Sequence, residues 1–245
     1  MRVAVLCDIH ANLPALHAVL AEVEEAQVDL IVFGGDVAAG PLPVETIELL
    51  AGYGGPARFV RGNADRRMVE IFDAGRESGD DPDSWPASRL TQPHRDFLSK
   101  FEQTVEVLID GLGPVLCCHA GPDSDELPII TPATPDQVIA EALASTKARV
   151  VVAGHTHMQF DRQVAARRMV NAGSVGMPYA NEPGAYWALL GPDVELRRTA
   201  YDFEAAAKNV RRTEYPGRED AAEAIVRPPT AEEATAMLER TAGRT

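Results

Sequence analysis

The feature that most constrains the fold is an alternation of short apolar runs with amphipathic segments in the first third of the chain. The runs RVAVLC, DLIVFGG and ARFV have the length and composition of buried strands. Between them, LPALHAVLAEVEEA and PVETIELLA have the spacing of helices, and Asn12 is the expected N-cap of the first. One stripe of that helix carries four apolar residues, Leu13, Leu16, Leu20 and Val23. Such strand–helix alternation predicts a parallel sheet with crossover helices, because parallel neighbours need long connections.

The rest of the chain predicts antiparallel additions to this sheet. A polar, turn-rich stretch at about 73–93 indicates a surface insert, and TVEVLI and GPVLCC predict two strands around a turn at Asp110-Gly111. A helix is expected near 135–144, before the buried strand ARVVVAG. Two hairpin patterns, MQFDRQVAARRMVNAGS and GAYWALLGPDVELRRTAY, are consistent with a second sheet. We expect residues 1–245 to form a single domain with a helical tail from about 202, where DFEAAAKNVRR and TAEEATAMLERT predict helices.

Charge and composition disfavour several classes of function. The chain of 245 residues has a formal net charge of −14, so we expect no nonspecific binding to nucleic acid or to an anionic membrane. Its first residues, MRVAVLCDIH, lack the pattern of a signal peptide, and no apolar stretch approaches the roughly 20 residues of a membrane-spanning helix. The 3 cysteines are too few for a disulfide framework. These observations predict a cytoplasmic protein.

The polar residues that stand out all follow predicted strands. In an open α/β sheet, ligands bind outside the carboxyl ends of the strands, so we expect these side chains to converge on one crevice. They are Asp8, His10, Asp36, Asn63, His119, His155 and His157. Carboxylate, amide and imidazole donors without a thiolate suit two divalent transition-metal ions, Mn, Fe or Zn, better than an all-oxygen calcium site.

Each of these motifs has a simpler explanation when it is taken alone. Asp8-x-His10 and Gly35-Asp36 are ordinary turn or capping sequences, and a lone histidine such as His119 is commonly a hydrogen-bonded loop residue. Gly-His155-Thr-His157 is more specific, because two imidazoles at that spacing are seldom needed for packing. The combination, with every member at a strand end, predicts a metal site.

The motifs also resemble the signature of a known family. Asp8-Ile9-His10, Gly35-Asp36, Gly62-Asn63, His119 and Gly154-His155-Thr156-His157 are similar, in this order, to the signature of the calcineurin-like metallophosphoesterase superfamily. DIHANLPAL and VNAGSVGMP resemble its small prokaryotic phosphodiesterase branch, although Ala172 stands where that motif often has proline. The resemblance implies an α/β fold, a four-layer α/β/β/α sandwich of two mixed β-sheets flanked by helices.

The resemblance further implies which residues hold which ion. Asp8, His10, Asp36 and His157 would hold one metal ion, and Asp36, Asn63, His119 and His155 would hold the other. Asp36 would bridge the two ions, and Asn63 would also contact the substrate. Two-metal chemistry then implies that a metal-bridging hydroxide attacks a phosphoester in line.

Several functions remain open at this stage. The expected activity is a phosphodiesterase acting on a small molecule or a nucleotide. The alternatives are a dinucleoside polyphosphate hydrolase or a protein phosphatase, and the acidic charge disfavours a nuclease. A noncatalytic scaffold with the same fold is the remoter alternative, and loss of metal ligands would be its mark. All seven ligand positions are intact in this sequence.

The departure from the family pattern is Ala64. Many members have histidine at this position, where it is thought to stabilise or protonate the leaving oxygen, and the small prokaryotic branch often has cysteine. Alanine can do neither, which predicts a preference for good leaving groups or a replacement from elsewhere. Arg66, Arg67 and His94 are candidates by their place in the sequence, although solvated surface positions explain them more simply.

Overall fold

The computed structural model describes residues 1–75 and 81–244. In these ranges the strands are β1 (Val3–Leu6), β2 (Leu30–Phe33), β3 (Ala57–Phe59), β4 (Thr104–Ile109), β5 (Gly113–Cys118), β6 (Val150–Ala153), β7 (Phe160–Val164), β8 (Arg167–Asn171), β9 (Ala185–Leu190) and β10 (Val194–Thr199). The helices are α1 (Leu13–Glu25), α2 (Pro43–Ala51), α3 (Asn63–Asp73), α4 (Trp85–Ser88), α5 (Gln92–Leu98), α6 (Asp136–Ala142), α7 (Phe203–Arg211), α8 (Arg218–Val226) and α9 (Ala231–Thr241).

The first sheet has the strand order β10-β9-β1-β2-β3. Strands β1, β2 and β3 are parallel, as the strand–helix alternation predicts, with Val3 opposite Leu30 and Ile31 opposite Ala57. The hairpin of β9 and β10 lies antiparallel on the other edge of β1. The expectation that this hairpin belongs to a second sheet is therefore wrong. A hairpin pattern specifies the pairing within the hairpin and leaves open which free strand edge it joins.

The second sheet has the strand order β4-β5-β6-β8-β7. The β5–β6 and β6–β8 pairs are parallel, whereas the β4–β5 and β7–β8 pairs are antiparallel. Both hairpins here match the sequence patterns that predicted them. The fold is thus built on two mixed five-stranded sheets.

Packing on both faces of each sheet explains the unbroken apolar runs. Along β1, Val3 and Val5 belong to the core between the sheets, and Ala4 and Leu6 belong to the core beneath the helices. All four are fully buried, because alternate side chains of a strand point to opposite faces. A third core, which includes Ile139 of α6, covers the outer face of the second sheet. The layers are helices, sheet, sheet and helices, as expected.

The predicted N-cap of helix α1 is confirmed, but the buried stripe of this helix differs from the predicted one. The Asn12 side chain accepts a hydrogen bond from the Ala15 amide. Its buried residues are Ala15, Leu16, Val19 and Val23. Leu13 and Leu20 are only half buried. The buried face of the helix is rotated away from them, toward Ala15 and Val19.

The stretch at 73–93 is less superficial than its polar composition indicates. Of it, residues 76–80 lie outside the described residues. The short helix α4 packs near α3, and Ala87 and Leu90 are buried in the core beneath the helices. Apolar residues spaced between turn formers were a weak signal for this packing.

The C-terminal segment contains one helix more than the sequence analysis anticipates. Helix α8 packs against α7, and its acidic first turn, with Glu219 and Asp220, was an available start signal. Helix α9 is fastened by Glu239, which is buried and accepts hydrogen bonds from the hydroxyls of Thr131 and Thr134 and from Arg244. Among the helices within 1–75 and 81–244, none is long and apolar enough to cross a bilayer.

Candidate metal centre

The loops that follow the strands bring the predicted ligands to one end of the two sheets. Asp8 and His10 follow β1, Asp36 follows β2, His119 follows β5, and His155 and His157 follow β6, while Asn63 begins α3. Glycines permit this convergence. Gly35 has a φ of 95°, and a Cβ added to Gly62 would overlap the Asp36 carboxylate. The side chains therefore meet because the backbones of these loops can approach one another closely.

The backbone holds five of these residues in the left-handed region. Asp8, His10, Asp36, His155 and His157 have φ values of 54°, 46°, 53°, 65° and 58°. This conformation costs roughly 1–2 kcal/mol for most residues, although aspartate and histidine adopt it more readily. Hydrogen bonds hold it in place, including His10 N to Asp36 O at 2.9 Å and His155 N to Asp8 Oδ2 at 2.9 Å. The loops thus orient the side chains through their backbone conformation.

Three of the imidazoles have their outer nitrogen paired with a backbone carbonyl. The pairs are His10 Nδ1 with Ala39 O at 3.0 Å, His119 Nδ1 with Gly34 O at 2.8 Å, and His157 Nδ1 with Met177 O at 2.8 Å. A carbonyl only accepts, so each Nδ1 must carry the hydrogen. In the neutral ring, the lone pair of each Nε2 then points into the site, as in a metal-ligating histidine.

The inward-facing atoms are nearly all hydrogen-bond acceptors. His10 Nε2 lies 3.2 Å from His157 Nε2, and His157 Nε2 lies 3.4 Å from Asp8 Oδ1. His119 Nε2 lies 3.4 Å from Asp36 Oδ2. Asp8 Oδ1 is buried and has no hydrogen-bond partner in the described part of the chain. Lone pairs and anionic oxygens at these distances repel one another unless a proton or a cation lies between them, and carboxylates with imidazoles are a donor set that fits divalent metal ions.

The ionisation of the site reflects the same need for positive charge. Burial opposes protonation of His119, but the Asp36 carboxylate prevails and raises the pKa of His119 to about 10. Burial and the nearby His119 lower the pKa of His155 to about 4. The imidazole of His119 holds the pKa of Asp36 far below its usual range, against the effect of burial. The carboxylates of the cluster therefore favour positive charge at the position of His119.

Two overlapping groups have the proximity that a metal ion requires. Asp8, His10 and His157 form one group, and Asp8, Asp36 and His119 form the other, with ligand atoms within 4.8 Å of one another. Asp8 thus belongs to both groups, whereas the family resemblance implies that Asp36 bridges. Asp36 Oδ2 also reaches toward both groups, at 3.9 Å from His10 Nε2 and 3.4 Å from His119 Nε2.

The remaining two predicted ligands lie beside the second group. Asn63 Oδ1 is 3.1 Å from His119 Nε2. The ring of His155 is 5.2 Å, centroid to centroid, from that of His119. Both residues line the cavity over the site. The structure therefore brings all seven predicted residues together.

Asp65 is a buried carboxylate beside the site that was not predicted from the sequence. Its carboxylate accepts hydrogen bonds from the backbone amides of Asp36, Gly62 and Val37 at 2.8, 2.9 and 3.0 Å. Burial and the charge of Asp36 raise the pKa of Asp65 to about 7, while the Gly62 and Val37 amides lower it. Asp65 joins the loop of Asp36 to the start of α3, and the capping pattern Gly-Asn-x-Asp was its signal in the sequence.

A cavity of about 350 Å³ opens over the site. Its walls include Asn63, Ala64 and Arg67 of α3, Met177 from the loop before β9, and Tyr215 from the C-terminal segment. Ala64 places only a methyl group there, while its backbone amide donates to Asp36 Oδ1 at 2.8 Å. The position at which the family carries histidine or cysteine is therefore in the cavity, and in this chain its side chain has no polar atom.

Comparison with known proteins agrees with this architecture. The sequence profile of the calcineurin-like phosphoesterase superfamily domain matches residues 1–191. The chain is 25% identical over 236 residues to the uncharacterized protein MJ0912 of Methanocaldococcus jannaschii, a match that covers 87% of this chain and 93% of that protein.

Two solved structures share the fold along nearly the whole chain. The hypothetical protein PH1004 of Pyrococcus horikoshii OT3 matches with a TM-score of 0.78 at 20% identity, covering 94% of this chain and 99% of that one. A metallophosphoesterase from Sphaerobacter thermophilus matches with a TM-score of 0.67 at 26% identity, covering 91% and 99%. With the family profile spanning most of the chain and the cluster of candidate metal ligands at its sheet ends, this protein belongs to the calcineurin-like phosphoesterase superfamily.

Proposed function

We propose that this protein hydrolyses phosphoester bonds with two divalent transition-metal ions, Mn, Fe or Zn, held by the seven residues of the metal centre, and that it is a phosphodiesterase. The observation that carries the proposal is the convergence of acceptor atoms. His10 Nε2 and His157 Nε2 face each other at 3.2 Å, and Asp8 Oδ1 is buried beside them without a hydrogen-bond partner among the described residues. A buried cluster of carboxylates and facing imidazoles suits divalent cations better than a purely structural role.

The chain's own residues then supply position and charge. A metal pair, when bound, lowers the pKa of water to near neutrality and neutralises phosphate oxygens. Asp8 and Asp36 reach both groups of ligands, so either carboxylate is placed to bridge two ions. The backbone bonds to Nδ1 of the histidines fix the ring orientations, and Asn63 lies where it can contact both an ion and a substrate oxygen.

The cavity supports a small substrate. Its volume of about 350 Å³ is at the low end of pockets for small molecules and nucleotides. Met177 and Tyr215 also line the cavity and add apolar surface to its wall. The net charge of −14 opposes the approach of a polyanion, so we propose a small phosphodiester or nucleotide as the substrate and neither nucleic acid nor a membrane as a partner.

The test is hydrolysis by protein that has been stripped of metal and reloaded with Mn, Fe or Zn. Bis(4-nitrophenyl) phosphate, 4-nitrophenyl phosphate and a panel of nucleotides separate diesterase from monoesterase activity. The informative variant is His157→Ala, because His157 contacts Asp8 and His10 within the site. The matched control is His17→Ala, since His17 is exposed on α1.

We expect metal-dependent hydrolysis of diesters, bound metal near two ions per chain, and loss of at least about a hundredfold in kcat/KM in His157→Ala with no change in His17→Ala. Hydrolysis that survives chelation and the His157 substitution would refute the metal mechanism. A chain that binds the metals but hydrolyses none of the panel would favour the scaffold alternative.

A further inference from the structure

Arg67 lies on helix α3 one turn after Ala64, the residue that stands where the family often has histidine or cysteine, and both residues line the cavity. Residues three apart on a helix lie on the same face, and side chains lean toward the helix N-terminus. A side chain at position 67 can therefore reach over Ala64, toward the end of the helix at which Asn63 and Asp36 lie. The methyl group of Ala64 leaves open the space that a histidine at that position would fill.

The other two candidates for the missing group are occupied elsewhere. Arg66 is bound by Asp125 at 3.1 Å, Glu126 at 3.0 Å and Glu70 at 3.2 Å, in an ion-pair cluster outside the cavity. His94 accepts a hydrogen bond from the Thr91 amide at 3.2 Å within its own helix cap, and its other nitrogen lies 3.9 Å from Glu48. Neither residue lines the cavity over the metal centre.

Arg67, by contrast, is held loosely. Its ion-pair partner among the described residues is Glu126, at 3.7 Å, and that carboxylate already accepts a 3.0 Å hydrogen bond from Arg66. Its side chain is 50% exposed. A guanidinium with a weak partner is free to exchange that partner for an anionic oxygen in the cavity, and its planar donors suit phosphate esters.

We propose that Arg67 stabilises the leaving oxygen of the phosphoester, and that it does so by charge rather than by proton donation. This inference rests on the proposed phosphoesterase function. In the reaction, a water oxygen forms the new bond to phosphorus and releases a proton, while the bond from phosphorus to the leaving oxygen breaks and both its electrons pass to that oxygen. Arg67 donates hydrogen bonds to the leaving oxygen as this negative charge develops, and solvent protonates the departed group.

This role predicts a dependence on the leaving group. A guanidinium keeps its proton throughout the working range, so it offers charge stabilisation without general-acid catalysis. Its contribution is greatest where most charge accumulates on the leaving oxygen, which is the case for basic leaving groups. A nitrophenolate disperses the charge into its ring and needs Arg67 less.

The experiment uses the Mn-loaded protein and methyl aryl phosphate diesters whose phenols differ in basicity, from 4-nitrophenol to phenol. The variants are Arg67→Gln and Arg67→Lys, with Arg227→Gln as the control, because Arg227 is an exposed arginine outside the cavity whose ion pair with Glu223 is similarly long at 3.6 Å. Arg67 is exposed and glutamine is a good helix former, so the fold is expected to persist, and thermal unfolding verifies this. Calorimetric binding of orthovanadate provides a readout other than turnover, since its apical oxygen occupies the leaving position in a transition-state analogue.

We expect Arg67→Gln to lower kcat/KM about 10- to 100-fold for the phenyl ester and no more than about threefold for the 4-nitrophenyl ester. Vanadate affinity is expected to fall about tenfold in Arg67→Gln, to recover in part in Arg67→Lys, and to stay unchanged in Arg227→Gln. An equal loss across all leaving groups would overturn the proposal, because it would place Arg67 on the nonbridging oxygens. Hydrolysis unaffected by Arg67→Gln would overturn this inference alone, whereas a wild-type chain without phosphoesterase activity would overturn the proposed function as well.

Discussion

Substitution of Asp65 by asparagine tests whether the metal centre depends on a hydrogen-bond clamp beneath it. One carboxylate oxygen of Asp65 accepts from the amides of Asp36 and Gly62, and the other accepts from the amide of Val37. All three donors are buried. Asparagine has one acceptor oxygen and one NH₂ group in place of the two carboxylate oxygens. At least one of the three backbone N–H groups would therefore face the NH₂ group, which is itself a donor.

The magnitude follows from this count. A buried donor left without a partner costs about 1–3 kcal/mol, and above the Asp65 pKa of about 7 the two remaining bonds also lose the strengthening that an ionised acceptor gives. We therefore expect Asp65→Asn to lower the free energy of unfolding by about 2–4 kcal/mol. Because Asp65 fixes the backbone of Asp36, metal affinity is also expected to fall by about 10- to 100-fold.

The assay is urea unfolding of the metal-free protein, followed by titration with Mn. Glu70→Gln is the matched control, since it makes the same change from carboxylate to amide on the exposed face of the same helix and is expected to cost no more than about 0.5 kcal/mol. A loss of stability in Asp65→Asn as small as in this control would refute the clamp. Unchanged metal affinity in the presence of the full stability loss would show that Asp65 supports the fold without positioning Asp36.

Three further predictions concern the leaving group, acid stability and metal removal. Ala64→His is expected to raise kcat/KM for alkyl diesters about tenfold or more and to change kcat/KM for nitrophenyl diesters little, because only a basic alkoxide needs a proton donor. Equal effects on the two classes of ester would contradict this reasoning. The ion pair with Arg244 and hydrogen bonds from Thr131 and Thr134 lower the pKa of Glu239 to about 2, below its ordinary value of 4.5. A carboxylate whose pKa is lowered by folding contributes its full stabilisation at pH values above its pKa in the unfolded chain. In urea unfolding, the difference in the free energy of unfolding between wild type and Glu239→Gln is therefore expected to be constant above pH 4.5 and to narrow as the pH falls toward 2. Chelation of bound metal is expected to lower the melting temperature by several degrees, and added Mn is expected to restore it in wild type but not in His157→Ala. Differential scanning fluorimetry would measure both changes. A melting temperature that does not depend on metal would contradict cation binding at this cluster.

The histidines and aspartates of the site were accessible from the sequence because each follows a short apolar run. A strand buried on both faces is an unbroken run of apolar residues, so its carboxyl end is easily located in the sequence. A polar residue directly after such a run is conspicuous, and this is the position at which α/β sheets bind ligands. Asp8 after VAVL and His155 after VVVA are examples. The parallel pairing of β1 with β2 and of β2 with β3 was also predictable, since only crossover helices lay between them.

Other features of the site could not be inferred in this way. Tyr215 and Arg67 line the same cavity as Asp36, yet the sequence offers no local pattern that distinguishes them from surface residues. Ambiguity among Arg66, Arg67 and His94 persisted because sequence spacing specifies a helix face but not what that face meets. The contacts of Arg66 with Asp125 and Glu126 arise across about 60 residues of chain.

The sequence by itself determined the strands, most of the helices and the identity of the candidate metal ligands, because periodicity and strand-end chemistry are local properties. Only the tertiary structure decided that the β9–β10 hairpin joins β1, that Asp8 reaches both ligand groups, and that Arg67 rather than Arg66 faces the cavity. These outcomes depend on which sheet edge is free and on how loops distant in sequence pack together. Both are set by the burial and hydrogen bonding of the whole chain, which no short segment encodes.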